Sequence, residues 1–285
     1  MKSSPISKFA VKETRGYLRQ FKKHLRHTAK HPNDPEAIHD LRVSIRRLSQ
    51  CFRLFRELLA PSRIKELRRR LRNVMDHCGA VRNCDVALDL LQQSGIADGA
   101  SVSKLRETRE DSAKELRRQL KKERRRNHSA PGPSRPSGGR AAGNWNLDEN
   151  SEENLRRILP ALAQEFFDAG ARAAVPGATL PDLHRFRLSS KRFRYTLELF
   201  ERFYGTQISR AATVLKGVQD RLGAINDCAV TMNLPSLDPQ AGSAVGKLLG
   251  PRIMEFRKYW EGQFRPAKLV WWKRWLSNPR HTAAA

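Results

Sequence analysis

The sequence predicts an all-α protein built as two pseudo-symmetric antiparallel helical bundles related by an internal duplication. Three observations carry this. Apolar residues recur at spacings of three and four along nearly the whole chain, and no segment shows the alternation or β-branched richness of a strand. Two blocks appear twice in the same order: residues 39–48 (HDLRVSIRRL) return as 184–193 (HRFRLSSKRF), and residues 71–88 (LRNVMDHCGAVRNCDVAL) return as 215–232 (LKGVQDRLGAINDCAVTM), at offsets of 145 and 144 residues. Such a period marks a repeated unit. Between the copies, residues 127–150 (NHSAPGPSRPSGGRAAGNWNLDEN) are rich in Pro, Gly, Ser and Asn with almost no apolar content, the composition of a flexible linker.

The expected organisation is therefore a first bundle in 1–126, a linker in 127–150 and a second bundle in 151–285. In the first, residues 6–30, 35–60, 62–80, 83–93 and 101–126 read as helices, punctuated by Pro32, Pro35, Pro61 and the Ser94-Gly95 step. In the second, the helices are expected at 151–173, 180–204, 207–224, 226–233, 243–263 and 267–277, with Pro160 kinking or splitting the first of them. A chain of 285 residues is long enough to bury two ordinary cores.

The repeated helix is the most informative element. In the first copy Asp34 suits the N-cap, Pro35 the first helical position and Glu36 the positive end of the macrodipole. Ile38, Leu41, Ile45, Leu48, Phe52, Phe55 and Leu59 form an apolar seam. One residue on, rotated by about 100°, runs a basic stripe of His39, Arg42, Arg46, Arg53 and Arg56, interrupted by Ser49. In the second copy Thr179 and Asp182 fit a capping box, Leu183, Phe186, Phe193, Leu197 and Phe200 form the seam, and His184, Arg187, Lys191 and Arg194 form the stripe. Glu198 and Glu201 stand where the first copy has Arg53 and Arg56. The shared cationic character thus sits in the first turns, where helix N–H groups already favour an anion.

Composition points the same way. Lys and Arg number 55 against 29 Asp and Glu, a net charge of +26, and a charge of that size repels itself unless anions are near; a polyanionic partner is expected. Residues 1–126 carry 32 basic and 15 acidic side chains and the remainder 23 and 14, so both halves share the excess. Arginine offers phosphate a planar fork of donors, and histidine becomes cationic beside it. For any single basic residue a solvated face is the ordinary use. The pattern His-x-x-Arg-x-x-x-basic-basic, present in both copies, is what marks a ligand.

These paired segments resemble the CHAD domain, the histidine-containing α-helical domain, over nearly the whole chain. The resemblance implies two pseudo-symmetric bundles whose basic inner surfaces form a central groove or channel for inorganic polyphosphate, without catalysis and without a cofactor. Carried over by residue, it implies ligand contacts from His39, Arg42, Arg46 and Arg47 in the first half and His184, Arg187, Lys191, Arg192 and Arg194 in the second, with Arg53, Arg72 and Lys216 as secondary candidates. Arg82-Asn83 departs from the family's Arg-Asp, whereas Asn226-Asp227 keeps the second-copy form, and the stretch 233–246 is short and rich in Pro and Gly.

Other readings compete. Nucleic acid would use the same charges, but the stripes hold no aromatic side chain on which a base would stack and no helix-turn-helix pattern stands out, so only weak binding is expected. A phosphohydrolase needs metal-binding carboxylates facing the cations; no Glu-x-Glu-x-Lys run, P-loop or His-Asp metal pair occurs, and Asp40 is matched by Arg185 in the second copy. His24, His27 and His31 share a helix face with four neighbouring cations, which disfavours a metal, and His77, Cys78 and Cys84 lack the spacing of a zinc site. The run 121–126 (KKERRR) reads as a nucleic-acid or localisation patch or, at least as readily, as a solvated helix end, and Trp260, Trp271, Trp272 and Trp275 read as packing for the last helix more readily than as a membrane face. Four cysteines without a Cys-x-x-Cys pair, no apolar leader and no stretch approaching about 18 apolar residues lead to an expectation of a cytoplasmic protein with no transmembrane span, to which the resemblance adds association with polyphosphate granules.

Overall fold

Capping residues start the helices where the sequence places them. In the computed structural model, which describes residues 5–126, 128–133, 141–142 and 144–279, the Asp34 side chain accepts from the Glu36 N–H, and Thr179 and Asp182 close a reciprocal capping box. The Asp182 carboxyl is held below the usual carboxylate range by hydrogen bonds from the Thr179 side chain and backbone and by Arg185. Asn150 and Glu153 form a second capping box.

The helices in chain order are α1 (Ile6–Lys30), α2 (Pro35–Leu54), α3 (Pro61–Gln93), α4 (Ala100–Arg124), α5 (Ser151–Ala174), α6 (Leu180–Leu199), α7 (Glu201–Tyr204), α8 (Thr206–Met232), α9 (Pro239–Gly246), α10 (Leu249–Gln263) and α11 (Pro266–Leu276). A two-residue ladder, β1 (Ala141–Ala142) with β2 (Trp145–Asn146), and isolated bridges of Pro5 with Asn150 and Leu59 with Pro133 are the extended pairings among the described residues. The fold is all-α, as the spacing predicts.

Several expected breaks are absent. Residues 62–80 and 83–93 fuse into the 33-residue α3, and 207–224 with 226–233 into the 27-residue α8. Neither joint holds a proline, and Gly79 or Gly223 alone costs a helix interior only about 1 kcal/mol. Pro160 does not split α5, which runs through it. The reverse holds at 180–204 and 243–263. Phe200 leaves helical geometry between α6 and α7, and the latter stretch divides into α9 and α10.

The chain forms two compact units whose membership does not follow the cuts at 126 and 151. The α2 unit comprises residues 10–135 and 227–249; the α6 unit comprises residues 1–9, 136–226 and 250–285. Parts of the expected linker are built in. The Ala60 N–H donates to the Gly132 carbonyl at 3.0 Å, His128 is buried, and Trp145 lies 6.3 Å from Phe200. Residues 127, 134–140 and 143 of that linker lie outside the described residues.

In the α2 unit the whole predicted seam, Ile38 to Leu59, is buried. Antiparallel packing of α3 on α4 follows from Arg109 on Asp85 at 2.9 Å and Arg70 on Glu123 at 2.8 Å. The second pair is enclosed. Arg70, Glu123 and His128 are 5, 1 and 6 % exposed, and His128 Nε2 lies 2.8 Å from Glu123 Oε1. Burial raises the Glu123 pKa, but the hydrogen bonds from His128 and Arg70 outweigh it and hold the carboxyl below its ordinary value. Residues 227–249 join this unit through Cys228, Ala241 and Val245, which pack with Leu90, Leu91, Val102 and Leu105. The Ser101 hydroxyl donates to the Asp238 carboxylate at 2.6 Å.

The α6 unit is cored by aromatic rings. Phe166 stacks on Phe193 with centroids 4.9 Å apart, Trp260 on Phe264 at 4.5 Å, and Phe186 meets Trp260 edge-on at 5.3 Å. Trp260 lies so close to the Gly170 backbone that a Cβ there would meet its ring at 1.9 Å. Trp272 is also buried, as packing predicts, while Trp271 remains exposed. Among the described residues no helix is long and apolar enough to cross a membrane.

Candidate anion-binding site

Each repeated helix projects its stripe from a well-packed seam. On α2, His39 is exposed in the second turn, Arg42, Arg46 and Arg47 are half-buried and Arg53 is exposed. Half-burial suits a phosphate ligand. The aliphatic stems pack on the unit, and in Arg42 the Nη1 end of the guanidinium is itself buried. Arg42 reaches over α3, where its guanidinium lies 3.3 Å from the place a Cβ on Gly79 would take, and its charge opposes the burial that pushes the Cys78 thiol up to about 12. The nearest acidic residue of the stripe, Asp40, faces His24 at 3.6 Å.

On α6, His184 and Arg192 are exposed and Arg187, Lys191 and Arg194 half-buried. His184 Nδ1 is 2.7 Å from Asn226 Oδ1 on α8. An amide oxygen only accepts, so Nδ1 carries the proton and Nε2 is left for a ligand. A second tie runs parallel: buried Gln219 donates its side-chain N–H to the Ser190 carbonyl at 3.0 Å. The contacts 184 to 226 and 190 to 219 set α6 antiparallel to α8.

Not every expected residue is presented alike. Arg194 pairs with Glu198 at 3.1 Å, with the two side chains only 18 and 14 % exposed, and stacks on Tyr195 at 4.8 Å. It acts as an internal tie. Lys216 pairs with Asp220 at 3.0 Å in solvent, a contact that salt screens readily. Arg72 is exposed on α3, and no acidic partner faces it, His39, Arg46 or Arg192 among the described residues.

Asn226 and Gln219 belong to the site as positioning residues that the charge pattern does not reveal. Both lie in the repeated block 215–232, which is the signal that marks them. Arg221, by contrast, is engaged within its own unit: it donates to the Gly217 carbonyl at 3.1 Å, pairs with Glu255 at 3.1 Å and covers the Tyr259 ring at 4.1 Å.

The rings of His27 and His31 lie 4.9 Å apart, tilted by 46°, and no group of three His, Cys, Asp or Glu is placed to hold a metal among the described residues. The four cysteines are free and buried, with burial pushing the Cys51 thiol up to about 12 against a weaker pull from its Thr14 hydrogen bond. Within 121–126 Glu123 turns inward to Arg70 while its basic neighbours face solvent.

With this geometry in view, the model for the CHAD domain matches residues 14–234. The chain belongs to the CHAD domain family. Among solved structures, the CHAD domain from the plant Ricinus communis is 22% identical with a TM-score of 0.58, the match covering 98% of this chain and 94% of that one. PptA from Streptomyces chartreusis is 18% identical with a TM-score of 0.53 over 90% of this chain and 100% of its own. At these identities the likeness is one of fold, and it is the CHAD fold. A comparison with curated proteins finds no match.

Proposed function

We propose that this CHAD domain protein binds inorganic polyphosphate without catalysis, through the basic stripes of α2 and α6. One observation carries the reading. Both helices present an exposed imidazole, an arginine three residues later and a basic residue seven later, while the nearby carboxylates are turned elsewhere, Asp40 to His24 and Asp182 to its own cap. Membership of a family associated with polyphosphate supports the choice of ligand. The contacts are His39, Arg42, Arg46 and Arg47 on α2 and His184, Arg187, Lys191 and Arg192 on α6. Buried free thiols suit a reducing cytoplasm as the place of action.

Binding of this kind releases counterions, so affinity falls steeply with salt. Calorimetric titration with polyphosphate tests the proposal. Arg42→Ala with Arg187→Ala is expected to weaken binding and to lower the salt slope by about 1.4, with helicity retained. Duplex DNA at equal phosphate concentration should fail to displace polyphosphate, and no phosphate should be released with Mg²⁺ or Mn²⁺. Unchanged affinity in the double variant would refute the assignment.

A further inference from the structure

We infer that the α2 unit holds a second anion site, a groove at the start of α3 that receives further phosphates of a long polyphosphate chain. The inference rests on the polyphosphate reading above. It starts from spacing: Lys65, Arg68, Arg69 and Arg72 fall at i, i+3, i+4 and i+7, a single face of α3. They line a groove of about 760 Å³ together with Arg56 and Ile64, within the roughly 300–1,000 Å³ of ordinary ligand pockets.

The groove is built for negative charge. Its one acidic lining residue, Glu66, is already claimed from outside: Arg63 meets it at 2.7 Å and Arg70 at 3.3 Å. Among the described residues no carboxylate pairs with Lys65, Arg68, Arg69 or Arg72. Arg56 has only an exposed contact with its neighbour Glu57, at 3.1 Å. Like charges at i, i+4 destabilise a helix, so Lys65 with Arg69 and Arg68 with Arg72 oppose folding, and a bound anion relieves them. A cleft of one sign also concentrates the field, and the first turn of α3 adds the positive end of its dipole.

The fold itself does not require this face. The positions that align in sequence within α8 hold Ser209, Ala212, Thr213 and Lys216, and Glu201 aligns with Arg56. Arg56, Lys65, Arg68 and Arg69 therefore belong to this half alone, unlike the stripe, which both halves share; Arg72 keeps a cationic counterpart in Lys216.

Replacing Lys65→Ser, Arg68→Ala and Arg69→Thr imports residues that α8 already tolerates. Titration with long-chain polyphosphate should then show about a tenfold loss and a salt slope lower by about 2, from three lost phosphate contacts. The charge-preserving set Lys65→Arg, Arg68→Lys and Arg69→Lys should bind as the wild type does. If the triple variant misfolds, Arg69→Ala at its exposed position reads the same slope, lowered by about 0.7. A triple variant that matches the wild type in affinity and slope, while Arg42→Ala with Arg187→Ala is weakened, overturns this site and leaves the polyphosphate reading standing. A wild type that ignores long-chain polyphosphate removes both. Loss of duplex DNA binding with polyphosphate affinity intact would also overturn the site.

Discussion

His184 Nδ1 sits 2.7 Å from Asn226 Oδ1, and this contact decides which imidazole nitrogen is offered to a ligand. Replacing the amide by a carboxylate tests it. In Asn226→Asp the acceptor becomes charged and the hydrogen bond stronger, so the Nδ1–H proton of His184 should resonate further downfield than in the wild type when followed by NMR. An unmoved Nδ1–H resonance would show that the two side chains do not meet in solution.

Gly79 faces Arg42 across the α2–α3 contact, with only 3.3 Å between a new Cβ and the guanidinium. The neighbour that must yield is the tip of a flexible side chain. Gly79→Ala is therefore expected to stabilise the protein, by up to about 1 kcal/mol of helix propensity, and to weaken polyphosphate binding as Arg42 is displaced. Thermal melting and calorimetry on one preparation check both signs.

The ring of Trp260 occupies the space beside Gly170. A methyl group at 1.9 Å leaves a rigid indole nowhere to go, and Gly170→Ala should cost about 1–3 kcal/mol or more. Trp260→Leu in the same chain should recover part of that loss. A double-mutant cycle in urea reads the coupling.

Glu123 makes stability depend on pH. Its carboxyl is depressed below the ordinary value of 4.5, so its contribution is complete above that pH and is lost as acid carries the solution down through the folded-state pKa. At neutral pH Glu123→Gln should destabilise by about 3–5 kcal/mol, since Arg70 and His128 lose an enclosed anion. The gap between wild type and variant should narrow below about pH 4.5. A gap that stays constant there would mean that the charge of Glu123 is immaterial.

Local features were legible and remote ones were not. The caps at Asp34 and Thr179 and the two seams are written in contiguous residues, and each forms as read. Helix length was harder, because α3 and α8 continue through Gly79 and Gly223 on the strength of packing that periodicity does not register. Membership of the units was hidden for a related reason. Ser101 meets Asp238 across 137 positions and Arg70 meets His128 across 58, separations that no local pattern encodes. At the site, the pairing of Arg194 with Glu198 obeys ordinary i, i+4 spacing, yet the repeat drew Arg194 into the ligand set.

The interleaving of segments has a consequence for biosynthesis. When the ribosome has made residues 1–226, the slot between Leu91 and Val102 still waits for Ala241 and Val245, and the aromatic core around Phe166 still lacks Trp260, Phe264 and Trp272. The α2 unit is finished only with residues 227–249, and the α6 unit only when the last helices emerge. A fragment ending between the two repeated helices would carry the first basic stripe on an unsealed core, so useful dissection of this protein must proceed by substitution in the intact polypeptide.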